Sequence, residues 1–199
     1  ISEAESYFWK STWYPGFQSA SYLYLAEMYW KQGKVKDALE AVDESIALSG
    51  KSTQSKFVKA HFLSTQGKKA EAVALLDENI ASDPIDFLSI IEKARIQDNK
   101  ELTKHAITHM GIPLQEVIEV TTFYNAIGAW DDAVAILDFA MENGTPYSST
   151  PMQKNAVEPF TASPLLNYMA GWYSSQAGHE DKAMDYYRKA AEMSPDYCF

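Results

Sequence analysis

The sequence predicts an all-α chain of stacked helix pairs, and three observations carry that reading. The first is self-similarity at a fixed period. In "YLYLAEMYWKQGKVKDALEAVDESIALSG" and "FVKAHFLSTQGKKAEAVALLDENIASDP", the interval from Gly33 to Gly67 is the same as that from Ala38 to Ala72. The second is a constant glycine-to-alanine spacing of five residues, which recurs at Gly128 and Ala133 and at Gly178 and Ala183. The third is helical periodicity after each glycine, as in Leu39, Val42, Ile46 and in Ala133, Ile136, Leu137, Ala140.

The spacing has a physical reason. The first helix of each pair must stop and reverse within a few residues, and glycine adopts the required positive φ at little cost. The alanine stands where the two helices approach closely, so a larger side chain there would push them apart. A single pair leaves one face uncovered until a neighbour stacks on it, which is why such units come in arrays.

Taken in order, the elements begin with "EAESYFWKSTW", which aligns with "DALEAVDESIA" because Ala4 precedes Ala38 by that same interval. Residues 1–16 are therefore expected to be the second half of a repeat, and the chain to begin inside a longer polypeptide. Whole repeats are placed at about 19–52 and 53–86. The stretch 87–113 keeps helical periodicity in Phe87, Ile90, Ile91 and Ala94, with a short helix expected from Leu102 to Met110, and reads as a degenerate, shortened pair. Further repeats follow at about 114–145 and 164–197. Between them, residues 144–163 contain Pro146, Pro151 and Pro159 and end on Pro164, which excludes a regular helix and predicts a long loop. That loop serves either as a binding element or as a tolerated insertion.

These motif residues resemble the tetratricopeptide family, and more closely one bacterial group in which a domain of unknown function, number 5107, is followed by a helical-repeat tail. The stretches that carry the closer resemblance are "YFWKSTWYPGFQSASYLYLAEMYWKQGKVKDALEAVDESI", "SDPIDFLSIIEK" and "SPDYCF". The resemblance implies a right-handed α-α superhelix and an upstream domain similar to galactose-mutarotase-like β-sandwiches, which makes the repeats either an interaction scaffold or a structural appendage of a carbohydrate-active multidomain bacterial protein, packing on that domain or mediating self-association. The loop at 144–163 is longer than that group leads one to expect.

Composition narrows the function. A 46% hydrophobic and 22% charged chain is ordinary for a globular protein, which argues against disorder, and no apolar run approaches the roughly 20 residues that span a bilayer. A formal net charge of −10 argues against nucleic acid, since phosphate binding relies on clustered Lys and Arg. Beyond Lys104 the bases are Lys154, Lys182, Arg188 and Lys189, against about three times as many acids. That half presents either a merely solvated acidic face or one suited to a neutral or basic partner. The one cysteine, Cys198, can form no internal disulfide, so a reduced bacterial cytosol suits the chain without being required.

Signs of catalysis are weak. His105 and His109 have the spacing of two metal ligands on a helix, but the zinc-protease glutamate is replaced by Ala106 and a surface pair is the plainer reading. The acidic pairs Asp43-Glu44, Asp131-Asp132 and Glu180-Asp181 are adjacent, so on a helix they diverge by about 100° and cannot face each other as acid and base. No glycine-rich phosphate loop occurs. The expectation is a non-enzymatic chain with no catalytic residue, cofactor or metal.

What remains is the face of each pair's first helix. The tetratricopeptide resemblance places groove positions at Leu23, Glu27 and Trp30, at Phe57, His61 and Ser64, at Ile118, Thr122 and Asn125, and at Tyr168, Trp172 and Ser175. Trp30, Phe57, Tyr168 and Trp172 offer aromatic platforms for a peptide or a sugar ring, or else pack between helices or against a neighbouring repeat. The chaperone-tail-binding form of the fold clamps a carboxylate with Lys and Asn, whereas Leu23, Glu27, Phe57 and His61 occupy those places here. The expected partners are a protein or peptide, the upstream domain of the same polypeptide, or a second copy.

Overall fold

The computed structural model describes residues 2–111, 113–143 and 163–195, and all regular structure among them is helical. The expected class, all-α and built of helix pairs, is what the structure shows among the described residues. The loop at 144–163, apart from Ser163, lies outside the described residues, as do Tyr197, Cys198 and Phe199.

The chain packs as two compact units that divide between Lys100 and Glu101, inside the stretch read as one degenerate pair. Unit 1 contains α1 (Ser2–Ser11), α2 (Gln18–Lys31), α3 (Val35–Leu48), α4 (Thr53–Thr65), α5 (Lys69–Ser82) and α6 (Phe87–Ile96). Unit 2 contains all but the first residue of α7 (Lys100–His109), with α8 (Pro113–Ala126), α9 (Trp130–Asn143), α10 (Pro164–Gln176) and α11 (Glu180–Met193).

The turns follow the predicted chemistry. Gly33, Gly67, Gly128 and Gly178 have φ between 72° and 83°. After each, the next amide bonds back five residues, for example Lys34 N–H to the Tyr29 carbonyl at 2.9 Å and His179 N–H to Ser174 at 2.9 Å. Ala38, Ala72, Ala133 and Ala183 are buried where the helices meet. One turn departs in sequence but not in shape. Asp98 takes φ 51° at the end of α6, and Asn99 N–H closes on the Ala94 carbonyl at 2.8 Å.

In unit 1 successive pairs meet through a polar seam that recurs once per helix pair. Ser11 and Ser21 hydroxyls lie 2.6 Å apart, Ser45 and Ser55 2.8 Å apart, and Asn79 Nδ2 donates to Ser89 Oγ at 3.0 Å. Ser45 Oγ also donates to the Ser19 carbonyl at 2.8 Å, and Asn79 Nδ2 to the Thr53 carbonyl at 2.9 Å. Around this seam Leu25, Val42, Phe57, Phe62, Leu76 and Ile91 form the buried interior. Helix α1 is tied to α2 by Phe8 stacking on Tyr24 and by Trp9 Nε1 donating to Tyr29 Oη at 3.1 Å.

Unit 2 replaces that seam with apolar packing. Counted from the turn glycines, the positions of Ser45 and Ser21 are taken by Ala140 and Leu166, both fully buried. In the last pair a ring takes the space of a side chain on the facing helix. A Cβ on Gly171 of α10 would come within 2.7 Å of the Tyr187 ring on α11, where the unit 1 equivalents are Ala26 and Val42.

Candidate binding surface on the first helices

Counting back from the turn residue aligns the first helices. Six residues before Gly33, Gly67 and Asp98 stand Glu27, His61 and Glu92, and three before them stand Trp30, Ser64 and Arg95. Helix α4 packs against both α2 and α6, so these positions form neighbouring rungs in unit 1.

Two rungs are joined. Glu92 is fully enclosed, and His61 Nδ1 lies 3.1 Å from its Oε1. Arg95 makes a forked contact with it, Nε to Oε2 and an Nη to Oε1, each at 2.7 Å. The same guanidinium donates to Ser64 Oγ at 2.9 Å. Burial alone would raise the Glu92 carboxyl, but hydrogen bonds from Arg95 and His61 and their charges hold it down at about 2. With Glu92 ionised, His61 Nδ1 carries the proton and donates it. Sequence reading missed Glu92 and Arg95 because Asp98, not glycine, marks this turn; once Asp98 is taken as the turn residue the register finds both.

Glu27 behaves differently. It is 6% exposed, and burial pushes its carboxyl up to about 7, with the charge of Lys31 acting against that. Among the described residues it has no hydrogen bond or ion pair. Leu23, one turn earlier, is buried, and Phe57 on α4 is fully enclosed, so neither presents a platform in this arrangement. Trp30 is half-buried and stacks on Phe62 with centroids 4.0 Å apart.

In unit 2 the same register position carries Thr122 and Trp172. Trp172 is 38% exposed, the most open of the expected groove aromatics, and it meets Tyr173 edge-on. Tyr168 is half-buried and packs at a tilt on Tyr187. Asn125 is engaged by Trp130 Nε1 at 2.9 Å. On another side of unit 2 an open cleft of about 610 Å³ is lined by Asp138, Met141, Glu142, Asn167, Tyr186, Lys189 and Met193. Within it Tyr186 donates to Asp138, which Lys182 also approaches at 3.5 Å.

His105 and His109 are exposed and stacked, and His109 Nδ1 donates to the His105 carbonyl at 2.7 Å. Among the described residues no group of three His, Cys, Asp or Glu side chains is placed to hold a metal, and no helix is long and apolar enough to cross a membrane.

Residues 166–197, which span the last helix pair, match the tetratricopeptide repeat family. A search of curated protein sequences returns no match. Among solved structures, the chain is similar to YrrB, described as a tetratricopeptide protein with an unusual peptide-binding site, at 15% identity over 96% of this chain and 93% of that one, with a TM-score of 0.43. It is also similar to MamA from Desulfovibrio magneticus, at 10% identity over 91% and 97% with a TM-score of 0.43. A thermophilic tetratricopeptide protein from Thermus thermophilus shares 16% identity over 89% and 92%, again with a TM-score of 0.43.

Proposed function

We propose that this chain is a non-catalytic protein-interaction module whose working surface is the face of its first helices: Leu23, Glu27, Trp30, Phe57 and His61 in unit 1, and Tyr168 and Trp172 in unit 2. The observation that carries the reading is Trp172. It leaves 38% of a large indole open at the register position where unit 1 buries its rungs, and aromatic side chains of this kind anchor peptide partners. Leu23, Phe57 and His61 act from beneath, fixing the helices that display the rest.

The test is selection of a displayed library of random dodecapeptides on the full 199-residue chain, followed by titration calorimetry. Trp172→Ala should keep the helical circular dichroism and weaken the selected peptides by about 2 kcal/mol, the scale of an interface anchor. Unchanged affinity would remove the reading.

A second reading draws on the other end of unit 1. Tyr7, Trp13, Tyr14 and Phe17 are each at least 60% exposed, a concentration of aromatic surface that suits docking to a neighbouring domain or a second copy. The resemblance to the tail that follows domain 5107 implies a β-sandwich as that neighbour. Light scattering distinguishes the two: loss of self-association, or of binding to a separately supplied β-domain, on Trp13→Ser with Phe17→Ser supports the structural role.

A further inference from the structure

We propose that Glu27 receives a lysine or arginine side chain from an extended segment of a partner protein laid along the first-helix face of unit 1. The proposal rests on the interaction-module reading and names the chemistry of its partner.

The argument starts from the cost of a buried carboxyl. A carboxylate removed from water needs a cation or several donors, and an unsatisfied one is a large local penalty. The chain meets that need fully at Glu92, with two bonds from Arg95 and one from His61. At the equivalent rung on α2 it does not. The position that supplies Arg95 on α6 is Trp30 on α2, which cannot neutralise a carboxylate, and Arg95 itself is committed to Glu92 and Ser64. Lys31 is exposed and lies outside ion-pair distance of Glu27. The chain therefore builds one acidic rung with its base and a second, equally far before its turn residue, without an ion-pair partner.

The surroundings select the class of partner. Glu27 is almost enclosed but still reaches solvent, at 6% exposure. Leu23 lies one turn before it and the half-buried indole of Trp30 one turn after. The methylene stem of a lysine or arginine packs on such apolar flanks while its charged end meets the carboxylate, and an indole adds attraction for a cation. An acidic or neutral side chain would leave the carboxyl as it is.

The test uses those dodecapeptides selected on the full chain that Trp30→Ala weakens, since Trp30 flanks Glu27 within unit 1. Enriched sequences are expected to share one lysine or arginine. Glu27→Gln, an isosteric neutral change whose folding is checked by its thermal midpoint, should weaken them about tenfold or more. Replacing the shared basic residue by norleucine should weaken binding to the native chain equally, and to Glu27→Gln hardly at all. Enriched peptides without a basic residue, or equal affinity for Glu27→Gln, overturn the proposal. If such peptides still lose affinity with Trp172→Ala, the module reading stands and only the assignment of Glu27 falls; failure to enrich any peptide removes both.

Discussion

Both units place a histidine against a carboxylate, and the two pairs are geometrically alike. His61 lies 3.1 Å from Glu92 in unit 1, and His179 lies 2.9 Å from Asp131 in unit 2. Their surroundings are opposite. The first pair is enclosed and shares Arg95, whereas the side chains of the second are 53% and 77% exposed. Distance alone therefore says little about what an ion pair contributes; water decides whether breaking it is felt. The same contrast runs through the units at large. Unit 1 holds its pairs together with buried polar contacts at a strict repeat, while unit 2 uses apolar and aromatic packing and leaves Trp172 open.

The sharpest way to break the comparison is to remove one partner from each pair. Arg95→Ala leaves Glu92 buried without its strongest donor and should destabilise unit 1 by about 3–5 kcal/mol. Asp131→Ala should change unit 2 by no more than about 0.5 kcal/mol. Urea unfolding followed by hydrogen exchange, which resolves the two units separately, reads both numbers; equal effects would mean that burial is not the deciding factor.

Acid and base should act on unit 1 from two sides. Glu92, held at about 2, contributes stability that is complete above the ordinary carboxylate value of 4.5 and is lost as the pH falls toward 2. Glu27, raised to about 7, works the other way: the folded state binds the extra proton, so stability is greatest below 4.5 and declines as the pH rises to 7. The stability of unit 1 is thus expected to peak near 4.5, and Glu27→Gln should remove the upper decline, a gain of up to about 3 kcal/mol at pH 8. A thermal-shift series across pH on the two proteins checks this, and parallel curves would contradict it.

Smaller effects sharpen the contrast between seams. Asn79→Ala removes bonds to Thr53 and Ser89 and should cost unit 1 about 1–2 kcal/mol, measured by chemical denaturation. Smallest of all, Asp98→Gly relieves a positive φ and should stabilise unit 1 by about 1 kcal/mol or less, seen as a modest rise in thermal midpoint.

Much of the fold was legible because glycine and alanine report local geometry directly. Gly33, Gly67, Gly128 and Gly178 all take the positive φ their spacing implied, and the alanines five residues on are all buried. Part of the seam was legible too, since Ser11, Ser45 and Asn79 and their partners Ser21, Ser55 and Ser89 recur at the period of the turn glycines, but serines at helix ends are easily read as caps or loops. The surface was less legible. Leu23, Glu27, Trp30, Phe57, His61, Tyr168 and Trp172 share a register, yet only Trp172 among them is substantially open.

The sequence by itself determined the unit of construction: helix lengths, turn positions and the period at which pairs recur, all set by interactions within a few residues of one another. Tertiary structure decided three things that no local pattern encodes. It divided the chain between Lys100 and Glu101, it closed a turn on Asp98 without glycine, and it distributed water among equivalent rungs. That last decision has the clearest physical basis. Glu27 and Glu92 are the same residue type six residues before their turn residues, Gly33 and Asp98, and one carboxyl is pushed up to about 7 while the other is held at about 2. The difference lies in which side chains from neighbouring helices reach each buried carboxylate.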